Sequence, residues 1–467
     1  MSGLLSLLSQ GAASLQATQA WSSTVAQNIS NANTPGYARQ RAELAAALPA
    51  ERFGDSWLGR GAVLAGITQS RDRFVEAQFA QATGQEAFSS AEMGVLQGVT
   101  VLDVDNGVQP ALSDFYTKLR SLAQNPGSQN YREAAVGSAK QLALSFNRTG
   151  GAIASARSAV DEQLKGALPE VNQAAAQLAT LNAKIREATV GGASPNDLLD
   201  ARQKLGDRLA ELTGATPVAN SEGDLNLVLP GGAALVIGSQ AATLSAQPDA
   251  ANSGHVALWA SPPDGSPPVK LNPPPGGQLG GLVAARDGAL KTAQDSLDQL
   301  AFDLSGALNA VHRAGYGLDG STGRDLFATT ATAPGAAVGL TVNPDIAANV
   351  SLLAAASSAG TVPGDATNLQ ALINTEQQNL SSGTNVDSTV AQLTAQYGAA
   401  AQRAQFSSEA DGAVLGNVTA LRASASGVST DEELIEMQKA QRAYEATAKV
   451  ISAANSMLQT LLSLPTA

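Results

Sequence analysis

The stretch NISNANTPGYARQ, Asn28 to Gln40, decides how this 467-residue chain is organised. It ends a segment without a single Asp, Glu, Lys or Arg, and Arg39 is the first charge in the sequence. The asparagines Asn28, Asn31 and Asn33 suit a helix end, because Asn tolerates the left-handed conformation of a cap. Thr34 precedes proline and is pushed toward extended backbone. Pro35 and Gly36 fit the two central positions of a type II turn, the second of which needs positive φ. Tyr37 can pack its ring while its hydroxyl stays wet. Asn28, Asn31, Asn33, Thr34, Pro35, Gly36, Tyr37 and Arg39 together read as a turn that sets the direction in which the chain leaves a long, bland helix.

Upstream of the turn, Leu4, Leu8, Gly11, Leu15, Thr18, Ser22, Val25 and Ile29 recur in alternating steps of three and four, the seam of a heptad. The opposite end of the chain mirrors it with Met437, Ala440, Tyr444, Thr447, Ile451, Ala454, Leu458 and Leu461. Ser429 with Glu432 reads as a capping box, and Asp431, Glu432 and Glu433 suit the positive end of a helix dipole. After Lys449 no charge appears again. Two weakly apolar, nearly uncharged stripes from opposite ends of one chain are expected to pair, and further copies to cover what remains.

The interior carries more helical repeats. Leu164, Val171, Leu178 and Ile185 recur every seven residues, as do Val283, Leu290, Leu297, Leu304 and Val311. Ser194 and Pro195 are expected to open a helix as N-cap and first residue. Between Thr216 and Gly277 the pattern changes to short strand-like runs around Pro230-Gly231-Gly232, followed by proline-rich turns. The expected fold is mainly α with an inserted small β domain, an elongated multi-domain rod whose terminal helices pair as a coiled coil. Its expected parts are 1–38, the N-terminal coiled-coil helix; 39–214, the first part of a helical rod domain; 215–277, the β insert; 278–428, the second part with flanking hairpins; and 429–467, the C-terminal coiled-coil helix.

Composition narrows the function. Hydrophobic residues make up 44% but aromatics only 4%, which favours helix packing over aromatic-rich binding surfaces. Charged residues are 15%, against roughly 25% in an average soluble domain, so the surface is short of solvating charge and suited to assembly. The net charge of −12 argues against nucleic acid and against attraction to anionic lipid. Absence of cysteine removes disulfides, thiolate nucleophiles and Cys-based metal sites. No apolar run approaches the roughly 20 residues of a membrane span, and the start lacks the basic region of a cleavable signal.

The segment SLQATQAWSSTVAQNISNANTPGYARQ resembles the N-terminal signature of bacterial flagellar axial proteins, the rod and hook family. With Tyr37-Ala38-Arg39-Gln40 after the turn it is most similar to the hook-associated branch, which forms the hook–filament junction. SGVSTDEELIEMQKAQRAYEATAKVISAANSMLQTLLSL and LNAVHRAGYGLDGSTGRDLF resemble the same family. The resemblance implies a structural subunit and no enzyme. Its terminal helices, with Leu4, Leu8, Leu15, Val25 and Ile29 on one and Met437, Tyr444, Ile451, Leu458 and Leu461 on the other, stack with other copies into a ring or tube. It further implies an extracellular place on the flagellum, reached through the type III export apparatus without a cleaved signal peptide. Implied partners are the hook protein, the second hook–filament junction protein and an export chaperone on the C-terminal helix, with no cofactor.

Other motifs are weak. DVDNG at 103–107 with Asp114 faintly matches a calcium loop, but the glycine comes one place early and Pro110 interrupts, so a plain turn is preferred. GGQLGG at 276–281 could invite a phosphate, yet no Lys-Ser/Thr follows. His255 and His312 are isolated, and Asn147-Arg148-Thr149 is a glycosylation tripeptide of the kind that arises by chance. The competing readings are a hook or distal-rod subunit of the same family and, in another class, a secreted cell-wall hydrolase. The acids of the insert, Glu222, Asp224, Asp249 and Asp264, give the hydrolase no recognisable carboxylate pair.

Overall fold

The computed structural model describes residues 2–47, 51–53, 56–58, 61–100, 107–220, 223–328 and 330–463. Alanine, leucine and glutamine, all strong helix formers, carry α1 (Ser2–Asn31) up to the turn. Beyond it come β1 (Gln40–Ala46), β2 (Glu51–Phe53), β3 (Ser56–Leu58) and β4 (Ala62–Gln69). β1 pairs antiparallel with β4, Gln40 opposite Gln69, and β2 pairs with β3. This corrects the helical expectation for the start of 39–214. The Ala-rich segments show no clean alternation because β1 is largely exposed after Gln40, and the ladder is held by packing on α1.

Four helices follow: α2 (Arg73–Gln97), α3 (Gln109–Gln124), α4 (Gln129–Val190) and α5 (Asn196–Thr213). Asp72 caps α2 by accepting the Phe74 N–H. At α5 the start differs from expectation by one residue: Pro195 is the N-cap and Asn196 the first helical residue. The Asn196 side chain bonds outward to Gln40 and to the Ile67 carbonyl, tying this helix start to the β1–β4 ladder.

The insert contains β5 (Thr216–Ala219), β6 (Leu225–Val228), β7 (Ala234–Ile237), β8 (Gln240–Ala241), β9 (Thr243–Pro248), β10 (Val256–Ser261) and β11 (Val269–Lys270). They form a four-stranded meander, β5-β6-β7-β8, and a three-stranded sheet, β11-β10-β9. The Pro-Gly-Gly signal lies in the β6–β7 connection. α6 (Gly277–Ala284) then continues through one π-helical turn, Ala285–Leu290, into α7 (Lys291–Ala314). A flank of short elements comes next: β12 (Phe327–Ala328), α8 (Ala336–Gly339), β13 (Thr341–Val342) and α9 (Pro344–Ala348), with β12 paired to β13. α10 (Thr367–Asn374), α11 (Val386–Ser426) and α12 (Thr430–Ser463) complete the chain.

Two apolar cores organise the body. The first joins α3, α7, α10, α11 and the N-terminal half of α4 around Phe115, Tyr116, Phe146, Leu304 and Phe327. The Phe115 ring meets Tyr116 and Phe327 edge-on, with centroids 5.3 and 6.2 Å apart. The second joins the C-terminal half of α4 to α5, α6 and the insert. Leu164, Val171 and Leu178 lie fully inside it, as their spacing requires. With 62 residues, α4 extends about 93 Å and belongs to both cores.

Candidate assembly site

α1 and α12 lie along each other, so the two ends of the chain form one stalk. Their contact is made of small side chains. Ala17, Thr18, Thr24 and Val25 are buried on α1, and Ala440 and Ala454 on α12. Gly11 faces Ile451 so closely that an added Cβ would fall 2.5 Å from the Ile451 Cγ1. The Ser22 hydroxyl donates to Met437 Sδ at 3.7 Å. Leu8, Leu15, Ile29, Met437, Ile451 and Leu458 are half-buried. Tyr444 is 41% exposed, and Ala443 is the half-buried residue of that turn. The side chains of Leu4 and Leu461 lie outside the described residues.

The outer flanks of this stalk are apolar and open. Leu5 and Leu7 on α1 are exposed, as are Leu434, Ile435, Val450, Met457 and Leu462 on α12. Alone, the pair fully buries mainly small side chains, alanine, threonine, glycine and Val25, a poor source of hydrophobic stabilisation.

At the base of the stalk the signature turn is tied to both helices. Asn28, buried within the last turns of α1, acts as a hub. Its Nδ2 donates to the Gln40 carbonyl at 2.8 Å and to Glu433 Oε2 at 2.9 Å. Its Oδ1 accepts the Tyr37 hydroxyl and the Gln40 N–H, both at 2.9 Å. Arg39 Nε donates to Glu433 Oε1 at 2.7 Å, and Nη1 reaches Glu432 at 3.1 Å. The Arg39 N–H donates to the Ser426 carbonyl, closing the link to the end of α11. Burial, reinforced by the carboxylates of Asp200, Asp197 and Glu433, pushes the Tyr37 phenol up to about 12, so it stays protonated as a donor.

The turn itself is a type II turn: the Tyr37 N–H donates to the Thr34 carbonyl at 3.2 Å and Gly36 has φ 82°. The left-handed asparagines expected before it do not occur, Gly36 being the one residue from 28 to 40 with positive φ. The amides are used instead as hydrogen-bonding groups: Asn28 crosslinks, and Asn31 bonds to the Gln27 carbonyl and accepts from Thr34. The expected capping box is half formed. Ser429 Oγ accepts the Glu432 N–H at 3.5 Å, while the Glu432 carboxylate turns to Arg39.

A second ring of residues, which the sequence did not reveal, anchors the turn to the body. Arg71 donates to the Gly36 carbonyl at 2.9 Å and pairs with Glu76 and Asp200. Gln69 bonds to Asp200 and to the Asn196 carbonyl. Arg422 joins α11 to Glu76 and Asp207, its guanidinium 4.1 Å over the Phe79 ring. One signal was available: Arg39, the first charge after α1, against Glu432 and Glu433 in the first turn of α12.

The weaker sequence candidates have structural employment. His312 is buried, its Nδ1 on the Arg324 carbonyl and its Nε2 accepting the Ala354 N–H. His255 pairs with Asp161 at 2.7 Å where the insert meets α4. Asn147 spends its amide on the carbonyls of Ala337, Val338 and Leu340. Gly281 of GGQLGG presses against the backbone of Phe88 on α2. Asp103 and Asp105 lie outside the described residues, and Asp114 pairs with Lys118. Among the described residues no cluster of three acidic or histidine side chains could hold a metal. None of the described helices is long and apolar enough to cross a membrane.

Residues 99–327 match the family model described as the flagellar hook-associated protein FlgK helical domain. Residues 422–464 match the model of the flagellar basal body rod FlgEFG protein C-terminal. Flagellar hook-associated protein 1 of Salmonella typhimurium is 32% identical over 330 residues, covering 69% of this chain and 59% of that protein. The matched region thus spans about three-fifths of that relative's length. Flagellar hook-associated protein 1 of Bacillus subtilis is 26% identical over 96% of both chains. The flagellar hook junction protein FlgK of Burkholderia pseudomallei has a similar fold, with TM-score 0.67 at 19% identity, covering 77% of this chain and all of that one.

Proposed function

The chain belongs to the family of flagellar hook-associated proteins, and from that premise we propose that it is a structural subunit of the junction between hook and filament. One observation carries the reading: the two chain ends form a stalk locked through Asn28, Arg39 and Glu433, while its outer flanks stay apolar and open. Copies packed side by side would cover Leu5, Leu7, Tyr444 and Met457 and form a ring or tube layer. Before the two ends pair, the seam face of α12 offers an export chaperone its contact, with Met437, Tyr444, Ile451, Leu458 and Leu461 as the expected residues. The hook protein and the second junction protein are the proposed neighbours along the axis. Export through the flagellar type III apparatus would place the subunit outside the cell.

The C-terminal match to rod proteins keeps a hook or distal-rod subunit as the runner-up. The helical-domain match over 99–327 favours the junction. The hydrolase reading gains no support from relatives named as hook-associated proteins. The stalk helices are proposed to order fully only in the assembly, since their mutual burial is slight. Fast amide exchange across 2–31 and 430–463 in the monomer is the expected result; strong protection there would count against it. Deleting the protein in its own bacterium should leave hooks without filaments and flagellin in the medium, seen by electron microscopy. Filaments of normal number on such cells would refute the junction role.

A further inference from the structure

Away from the stalk, a groove of about 700 Å³ runs between α4 and α5. Leu181 and Leu205 form its apolar floor, and Gln177, Lys184, Lys204 and Arg208 stand around it. Arg208 is already engaged by Glu170 and Glu211. No carboxylate lines the groove, and among the described residues Lys184 and Lys204 have no acidic partner. The groove thus sets two ammonium groups without an acidic partner beside an apolar trough, in a chain of net charge −12.

The complement lies on α11. Phe406, Val414 and Leu421 are 67, 52 and 47% exposed, each about two helical turns from the next, and so share one face. Ala410 lies between the first two, and Glu409 is exposed on the shoulder of the stripe. The opposite side of α11 packs on α2, and α2 in turn packs on α5. Stripe and groove therefore belong to one packed group of helices but are carried by different members of it.

We infer that the Phe406–Leu421 stripe of one copy docks into the α4/α5 groove of the next, with its apolar side chains on Leu181 and Leu205 and Glu409 facing Lys184 and Lys204. A patch that docks into a different surface of the next copy makes a heterologous contact, the kind that closes a ring or continues along a helix. The inference rests on the proposed junction role and names the lateral contact within it. The α4 edge of the groove, from Gln173 to Lys184, is only about 17 Å long, too short for the roughly 1,000 Å² of a self-sufficient interface. The contact thus forms where the paired ends already hold copies side by side, and free monomers stay apart.

The chain has no cysteine, so disulfide trapping reads engineered positions alone. Gln177→Cys combined with Ala410→Cys, produced in bacteria lacking the native copy, should give a ladder of linked multimers when isolated appendages are oxidised. Each single variant should stay at monomer mass. A crosslink from Gln177→Cys to a different protein would assign the groove to that protein and overturn the inference. In a second arm, Lys184→Glu with Lys204→Glu should lower the number of filament-bearing cells about tenfold, and Glu409→Lys in the same chain should restore them. This arm decides the matter if the cysteine pair itself blocks assembly. Filaments unaffected by the paired glutamates overturn the docking and leave the junction role standing. Absence of the wild-type chain from purified appendages would instead overturn the junction role.

Discussion

The helical body and the paired chain ends are both built from helices, yet they bury opposite kinds of residue. In the body, Phe115, Phe146, Leu142 and Leu304 lie at or below 2% exposure. In the stalk the buried residues are mostly alanine, threonine and glycine, while Leu5 and Met457 stand 60 and 57% exposed. The body buries most of its large apolar side chains, the α11 stripe apart, and is equipped to fold alone. The stalk keeps its large apolar residues for neighbours and spends its specificity on a polar lock at the base.

The largest expected effect that sharpens this contrast is in the body. Phe146→Ala should cost about 3–5 kcal/mol and lower the thermal midpoint of the monomer, followed by circular dichroism. Next comes the lock. Arg39→Ala leaves the Glu433 carboxylate, 2% exposed, without its cation, at about 3 kcal/mol, the low end for a broken buried pair because Asn28 still donates to it. That loss should appear as failed filament assembly with the melting of the body unchanged; an equal drop in both would break the comparison.

Gly36→Val is smaller, about 2 kcal/mol, since the added side chain meets open space and the penalty is that of φ 82° alone. Motility should fall while the body melts normally, and normal swimming would show that the turn does not direct the stalk. The shallowest effect is a pH dependence of the body. Burial lowers the pKa of His312 below its ordinary 6.5, so it is neutral in the fold. Above that value stability is complete. As pH falls through 6.5 toward the lower folded value, the unfolded chain takes up a proton that the fold refuses, and stability declines. His312→Gln should flatten that part of the profile, read as thermal midpoint against pH.

Much of the fold was legible because its signals are local. The heptads through Leu164–Ile185 and Leu290–Leu304 report one buried face each, and the type II turn follows from Pro35-Gly36 alone. The β1–β4 ladder was hidden, since alanine-rich strands lying half-exposed on a helix show no alternation. The candidate site was legible only in outline. Asn28 and Glu433 lie 405 positions apart. An asparagine near a helix end reads as a cap until a distant carboxylate comes within reach. Arg71, Asp200 and Asn196 carry no local mark of the ring they form around Gly36.

Because α4 runs unbroken through both cores, the strand-bearing insert has no slack tether to the rest of the molecule. A sideways push on that insert becomes torsion and bending of a single beam whose sides are gripped along most of its length. Pro169 removes one rung of that beam, but it does so beside Leu168 and Val171, where packing holds any curvature at a fixed value. The two sheets of the insert consequently move rigidly with the body.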